Sequence, residues 1–175
     1  MYFRKLVSGD QQYPPGGNTA IRFATLAYPE VDTFDMTVWQ IGTEITSGDP
    51  RLNGGNRSLA VIFGYQDNLN YWAVYLTYSE TTSVRRLING VTHYICNPSD
   101  LDQWLPSNDE YQSARVVLER DGDNMVLTVL ANGNPVNIDG CTFSAEEYTP
   151  GKLGLGGHGT STNMAWFFKD ITLDF

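Results

Sequence analysis

The side chains able to do chemistry in this 175-residue chain are few and scattered. It has two histidines, His93 and His158, and two cysteines, Cys96 and Cys141. Two cysteines outside any C-x-x-C pair do not make a zinc site, and no His-rich cluster accompanies them. No G-x-S-x-G elbow and no phosphate-cradling loop occurs. Glu146 and Glu147 are adjacent, so on a strand their carboxylates point to opposite faces, and the other acids are mostly isolated or lie in turns. Aromatic residues are abundant instead: ten Tyr, eight Phe and four Trp. A sugar presents apolar C–H faces ringed by hydroxyls, so a site for one needs exposed rings flanked by Asn, Asp, Gln or Arg. Two candidate sets have that composition. One is a sheet surface carrying Trp39, Tyr71, Tyr75 and Arg115; the other is a loop edge carrying Asp67, Asn68, Trp104 and His158. The competing reading places Trp39 and Tyr75 under a covering loop.

The elements that must hold these residues are strands. Period-2 alternation runs through the chain and no stretch keeps a 3.6 period for three turns. Phe34 to Ile41 reads as a strand with Phe34, Met36 and Val38 on one face, followed by a glycine-rich loop from Thr46 to Arg57. Leu59, Val61, Phe63 and Tyr65 are expected on one face of the next strand. After a turn at Gln66–Asn70, Trp72, Val74 and Leu76 face inward, and Tyr71, Ala73, Tyr75 and Thr77 the other way. Asn89-Gly90 joins Val84–Ile88 to Val91–Ile95, a strong hairpin signal because both turn residues tolerate positive φ. A polar loop, Asn97 to Gln112, carries Trp104. Ala114–Arg120 and Met125–Leu130 form a second hairpin through Asp121–Asn124, and Asn132-Gly133-Asn134 leads to a strand near Val136–Ile138. Gly151–Leu155 and Ala165–Phe175 complete some ten or eleven strands, with one short helical turn at Glu146 and Glu147. The expectation is a single all-β domain over residues 1–175, a two-sheet antiparallel β-sandwich of the jelly-roll kind.

Bulk properties narrow the partners. Hydrophobic residues make up 41 % and charged residues 18 %, which argues against disorder. The net charge of −9 repels a phosphate backbone and an anionic membrane surface. No apolar run approaches the roughly 20 residues that span a bilayer, so neither nucleic acid nor membrane insertion is expected. Met1-Tyr2-Phe3-Arg4-Lys5 lacks the apolar region of a signal peptide. The Gly-, Tyr-, Trp- and Asn-rich, Lys-poor composition nonetheless reads as extracellular, a secreted monomeric module excised from a larger protein. Cys96 and Cys141 are open to two readings, a disulfide or two partly buried thiols.

Three stretches carry a resemblance. They are Val61-Ile62-Phe63-Gly64-Tyr65-Gln66-Asp67-Asn68-Leu69-Asn70-Tyr71-Trp72, the hairpin Arg115–Val129, and Pro150-Gly151-Lys152-Leu153-Gly154-Leu155 with Ala165–Ile171 ten residues later. Together, over about residues 20 to 175, they resemble the concanavalin A-like lectin/glucanase superfamily, in particular its laminin-G-like branch. Phe63-x-Tyr65-x-Asp67, Asn70-Tyr71-Trp72, Gly151-x-x-Gly154-Leu155 and Phe168-x-Asp170-Ile171-x-Leu173 match its strand-and-turn motifs. The motifs specify a scaffold, and the superfamily holds lectins, binding modules, adhesion domains, hydrolases and lyases. Its retaining glucanases place carboxylates two residues apart on one strand, near the roughly 5 Å separation the mechanism needs; that pattern does not occur here. Its jelly-roll lyases use Tyr with His, Gln and Arg on one concave face, and neither His93 nor His158 lies in a Gln-x-His pattern. The resemblance also implies a structural Ca²⁺ at Asp170, although Lys169 stands where a second acid is common. The function expected is a non-catalytic, lectin-like module for a polysaccharide or glycan. The alternatives are a laminin-G-like adhesion module binding protein, or a glycoside hydrolase or polysaccharide lyase with an active site outside the known motifs.

Overall fold

A computed structural model describes residues 20–26, 29–44, 58–77, 82–96, 112–159 and 164–175. Twelve strands run in chain order: β1 Ala20–Thr25, β2 Phe34–Glu44, β3 Ser58–Asp67, β4 Asn70–Thr77, β5 Ser83–Ile88, β6 Val91–Cys96, β7 Gln112–Asp121, β8 Asn124–Ala131, β9 Asn134–Pro135, β10 Cys141–Ser144, β11 Lys152–Gly159 and β12 Met164–Asp174. The first sheet has the order β1-β11-β3-β4-β5-β6 and the second β10-β8-β7-β2-β12, with β9 appended to β8. Every named strand pairing is antiparallel. The two antiparallel sheets do not close into a barrel and stack as an open sandwich.

The expected hairpins form for the expected reasons. Asn89 and Gly90 have φ of 50° and 78°, and Asn132 and Gly133 have 50° and 79°, the left-handed pairs that close two-residue turns. The Asp67–Asn70 turn is held by its own side chains. Asp67 Oδ1 accepts from the Leu69 amide at 2.7 Å and from Asn70 Nδ2 at 3.0 Å, while Asn70 Oδ1 accepts from the Asn89 amide at 3.0 Å, tying two hairpins together. Glu146 and Glu147 lie in a 3₁₀ turn, Ala145–Glu147, capped by the Ser144 hydroxyl. Val136–Ile138 is not a strand: after β9 the chain turns at residues 137–140, with Gly140 at φ 77°. The short strand β10, whose burial alternates Cys141 in, Thr142 out, Phe143 in, was not expected.

Alternation delivers the core. Phe34, Met36 and Val38 meet Leu59, Val61, Phe63, Trp72, Val74 and Leu76 across the gap, all at most 3 % exposed. An aromatic cluster fills one end: Phe63 lies 5.8 Å from Phe34 and 6.1 Å from Trp72, and Trp72 stacks on Phe143 at 4.3 Å. Burying each such ring contributes about 1.5–3 kcal/mol. Val61, Phe63, Val74, Val116 and Leu127 are buried as their phase requires. Ile171 is only half-buried, because the β12–β2 register shifts between Lys169 and Thr172, with Asp170 at φ 49°.

One phase expectation is overturned. Tyr65 does not follow Phe63 into the core. Gly64 sits at φ 54° inside β3, where the register breaks between Phe63 and Asp67, and this bulge turns Tyr65 onto the outer face. The bulge requires a second glycine opposite: a Cβ on Gly151 would lie 2.5 Å from the Gly64 carbonyl carbon and 2.6 Å from the Tyr65 nitrogen.

Cys96 and Cys141 form a disulfide across 45 residues. It joins β6, the last strand of the first sheet, to β10, the last strand of the second, closing the sandwich along that side. β1 and β12 are the terminal strands of the other side.

Two outcomes follow from this packing. Gly151→Ala should lower stability in denaturant melts by about 1–3 kcal/mol or more, since the clash is with backbone; an unchanged midpoint would mean the approach of Gly64 is not required. Reducing the disulfide should cost about 4 kcal/mol for a loop of 45 residues, read as a shift in the same melt with and without reductant.

Candidate functional site

On β4 the core residues Trp72, Val74 and Leu76 alternate with Tyr71, Ala73 and Tyr75, so the tyrosines leave on the opposite face of the first sheet. There Tyr71 and Tyr75 pack with Ala60, Ile62 and Ala73 in a second apolar cluster, with Tyr65 and Leu87 at its margin. The register sets Ala73, Arg85 and Tyr94 in one row across β4, β5 and β6. From that row the Arg85 guanidinium lies 4.5 Å from the centre of the Tyr75 ring and 4.9 Å from that of Tyr94. Its Nε donates to the Ser83 hydroxyl at 2.8 Å. Tyr65 continues the strip, its ring 6.4 Å from that of Tyr71 and its hydroxyl donating to Asn68 Oδ1 at 2.8 Å. A contiguous line of phenols and one cation thus crosses four strands. Arg86, one residue on, points to the other face, where it lies 5.0 Å over Trp72 and 4.0 Å from Glu147.

The strip is unsuited to proton abstraction. Burial pushes the Tyr75 hydroxyl well above the usual phenol value, and repulsion from a Tyr71 phenolate adds to it; burial raises Tyr71 as well. A phenol acting as base at neutral pH needs the opposite shift. No carboxylate lies among the described side chains of this cluster, so the pair a glycosidase mechanism requires is missing from them. Hydrogen bonding and ring stacking are what the arrangement offers.

The sheet-surface residues do not come together. Tyr71 and Tyr75 are 4 % and 1 % exposed and support the strip from within; they are not platforms. Trp39 and Arg115 stand on the outer face of the second sheet, on the far side of the sandwich. Strand phase correctly marks all four as pointing away from the core, but the outward directions of two stacked sheets are opposed. Trp39 is exposed, and Arg115 makes a two-bond pair with Asp35, Nε to Oδ1 at 2.9 Å and Nη2 to Oδ2 at 2.5 Å. That pair holds the Asp35 carboxyl below its usual value and lines a shallow groove of about 430 Å³ with Glu119, Thr128, Asp174 and Phe175.

The loop-edge set separates too. Asp67 and Asn68 are occupied with their own turn and with Tyr65. The backbone of His158 pairs with Ser58, at the other end of β3 from Asp67, about 30 Å away at the rise of a strand. Trp104 lies outside the described residues. Asp170 is exposed at the β12 bulge, and among the described residues no group of three His, Cys, Asp or Glu gathers anywhere. Calcium takes about six to eight oxygens, so an ion held at Asp170 would need most of its ligands from backbone carbonyls.

Arg85, Tyr94 and Tyr65 are the members of the strip that sequence reasoning passed over. An Arg-Arg pair inside a strand signals one cation per face, and Gly64 between Phe63 and Tyr65 signals a bulge that reverses the phase after it.

No known family profile matches the chain, and no curated protein matches it. Among solved structures it is similar to the metal-free carbohydrate recognition domain of Emp46p, with 10 % identity, a TM-score of 0.52, and 90 % of this chain and 78 % of that one covered. It is also similar to the Crh5 transglycosylase in complex with NAG, with 12 % identity, a TM-score of 0.41, and 87 % of this chain and 62 % of that one covered. The first likeness shows a shared fold, the concanavalin A-like lectin/glucanase fold.

The buried phenols give this cluster a pH signature. Because their folded pKa values lie above the unfolded value near 10, the stability they confer is fully present below about pH 10 and is lost as pH rises beyond it. Alkaline titration should show Tyr71 and Tyr75 ionising only together with unfolding; smooth phenolate absorbance from all tyrosines near pH 10 in the folded protein would contradict the burial.

Proposed function

We propose that this chain is a non-catalytic, lectin-like module that binds a polysaccharide or glycan on the outer face of β4, β5 and β6. The observation that carries the reading is Tyr94. The residue is 55 % exposed, yet its ring is fixed from behind by a guanidinium that is itself clamped on the buried Tyr75. A stacked ring has less freedom to lose when a sugar docks on it than a free surface side chain would. Thr92, opposite Leu87 on the same face, and the Nη groups of Arg85 supply hydrogen-bonding partners beside the ring. The raised phenol pKa values support binding without bond cleavage. The carbohydrate recognition domain of the same fold supports a sugar as the ligand, and the disulfide is consistent with an extracellular or secreted protein.

One ring and a few hydrogen bonds give a dissociation constant of about 10 μM to 1 mM. Calorimetric titration against a panel of soluble polysaccharides should find a ligand in that range. Tyr94→Ala should weaken it at least tenfold while the melting temperature stays within a few degrees, because an exposed edge-strand ring contributes little to the core. Trp39→Ala should leave binding unchanged. The reverse pattern would move the site to the outer face of the second sheet, where Trp39 is exposed. A wild-type protein that binds no polysaccharide but captures a protein partner would be an adhesion module, and release of oligosaccharides from the panel would make it an enzyme.

A further inference from the structure

Arg85 stands apart from the other arginines whose side chains are described. Arg86 faces Glu147, Arg115 faces Asp35 and Arg120 faces Asp32. Among the described residues no carboxylate lies within ion-pair distance of Arg85, in a chain with 20 acidic against 11 basic residues. Its described surroundings are two ring faces and one neutral hydroxyl, which orient the guanidinium without offering it a counter-charge. It is already half-buried.

We infer that the strip takes an acidic glycan, with Arg85 receiving the carboxylate of a uronic-acid unit whose ring stacks on Tyr94. This rests on the carbohydrate reading and narrows it. Two physical arguments carry it. First, the Arg85 head group lies 4.9 Å from the centre of the Tyr94 ring, so a ligand that reaches past the ring edge onto the guanidinium takes further water from a cation that is already half-buried. A neutral sugar leaves the covered cation without a counter-charge, which is costly, whereas a carboxylate offsets it. Second, Nε is committed to Ser83, so the free edge of the guanidinium is the one bearing the two Nη groups. Two parallel N–H donors in one plane match the two oxygens of a carboxylate better than they match scattered hydroxyls.

The test compares free acids with their neutral esters on one backbone. Wild-type protein is titrated at physiological salt with polygalacturonate, alginate and hyaluronan, with the methyl-esterified form of each, with dextran sulfate, and with a neutral β-glucan. At least one free acid should bind tenfold or more tighter than its ester and tighter than dextran sulfate. Arg85→Gln should erase the difference between acid and ester, and Arg85→Lys, which keeps the charge and loses the fork, should restore only a fraction of it. The ester comparison uses the wild-type chain alone, so it decides the question even if an Arg85 variant fails to fold. Equal binding of acids and esters, binding of the neutral glucan alone, or dextran sulfate as the tightest ligand would each overturn the uronate assignment and leave the carbohydrate reading standing. Binding to none of the polysaccharides would overturn both.

Discussion

The approach of two backbones at Gly64 and Gly151, too close for any side chain on either, is the constraint on which the rest of this molecule turns. Gly64 is at φ 54°, and a Cβ there would lie 2.9 Å from the Thr149 carbonyl and from the Tyr148 ring. With both positions bare, β3 can bulge, and the segment after Tyr148 packs against it. Val31 and Gly151 then exchange backbone hydrogen bonds of 3.0 and 3.3 Å, and the Gln66 amide donates to the Pro150 carbonyl at 2.6 Å. Tyr148 enters the aromatic end of the core and donates its hydroxyl to the Val31 carbonyl. The same bulge sends Tyr65 outward. One local steric condition thus places a core tyrosine and a surface-strip tyrosine together.

From there the strip is assembled by parity. Along β4 every second residue belongs to the core and every other to the outer face, and along β5 consecutive arginines are divided the same way. Arg86 serves stability, spread over Trp72 and near Glu147; Arg85 is held by ring faces that orient a cation without neutralising it. The two roles differ only in which side of a strand the residue occupies. The outer face of the second sheet shows the contrasting case, since Arg115 is satisfied by Asp35 in a two-bond pair.

Much of the fold was legible from residues, because period 2 and turn chemistry are local. Phe34, Met36, Val38, Leu59, Val61, Phe63, Trp72, Val74 and Leu76 could be assigned to the core by phase, and Asn89-Gly90 to a turn by φ tolerance. The site was less legible, and for a reason that local patterns cannot supply. Phase says that Trp39, Tyr71, Tyr75 and Arg115 point away from the core, but not which sheet each strand joins, and these strands fell on opposite sheets. His158 and Asp67 looked like neighbours at a loop edge, yet the β11–β3 register sets them at opposite ends of a ten-residue strand. Tyr65 was misplaced by a single inserted residue. Cys96 and Cys141, 45 positions apart, were paired by the way the sheets close.

The placement of the first and last strands sets how the sandwich would carry a mechanical load. β1 and β12 are the edge strands on the side away from the disulfide. Ala20 begins β1 opposite Gly159, at the end of the first sheet where β3 starts and β4 finishes. Asp174 ends β12 opposite Asp35, at the end of the second sheet where β2 starts. The Phe34–Phe63 contact aligns the sheets so that these two chain positions leave the sandwich in opposite directions along the strands. A pull through them therefore slides β1 along β11 and β12 along β2. Antiparallel ladder bonds lie perpendicular to the strands, so they bear that force side by side and do not break in succession as they would in peeling. Tension applied at Ala20 and Asp174 therefore falls on the two outermost ladders, β1–β11 and β12–β2.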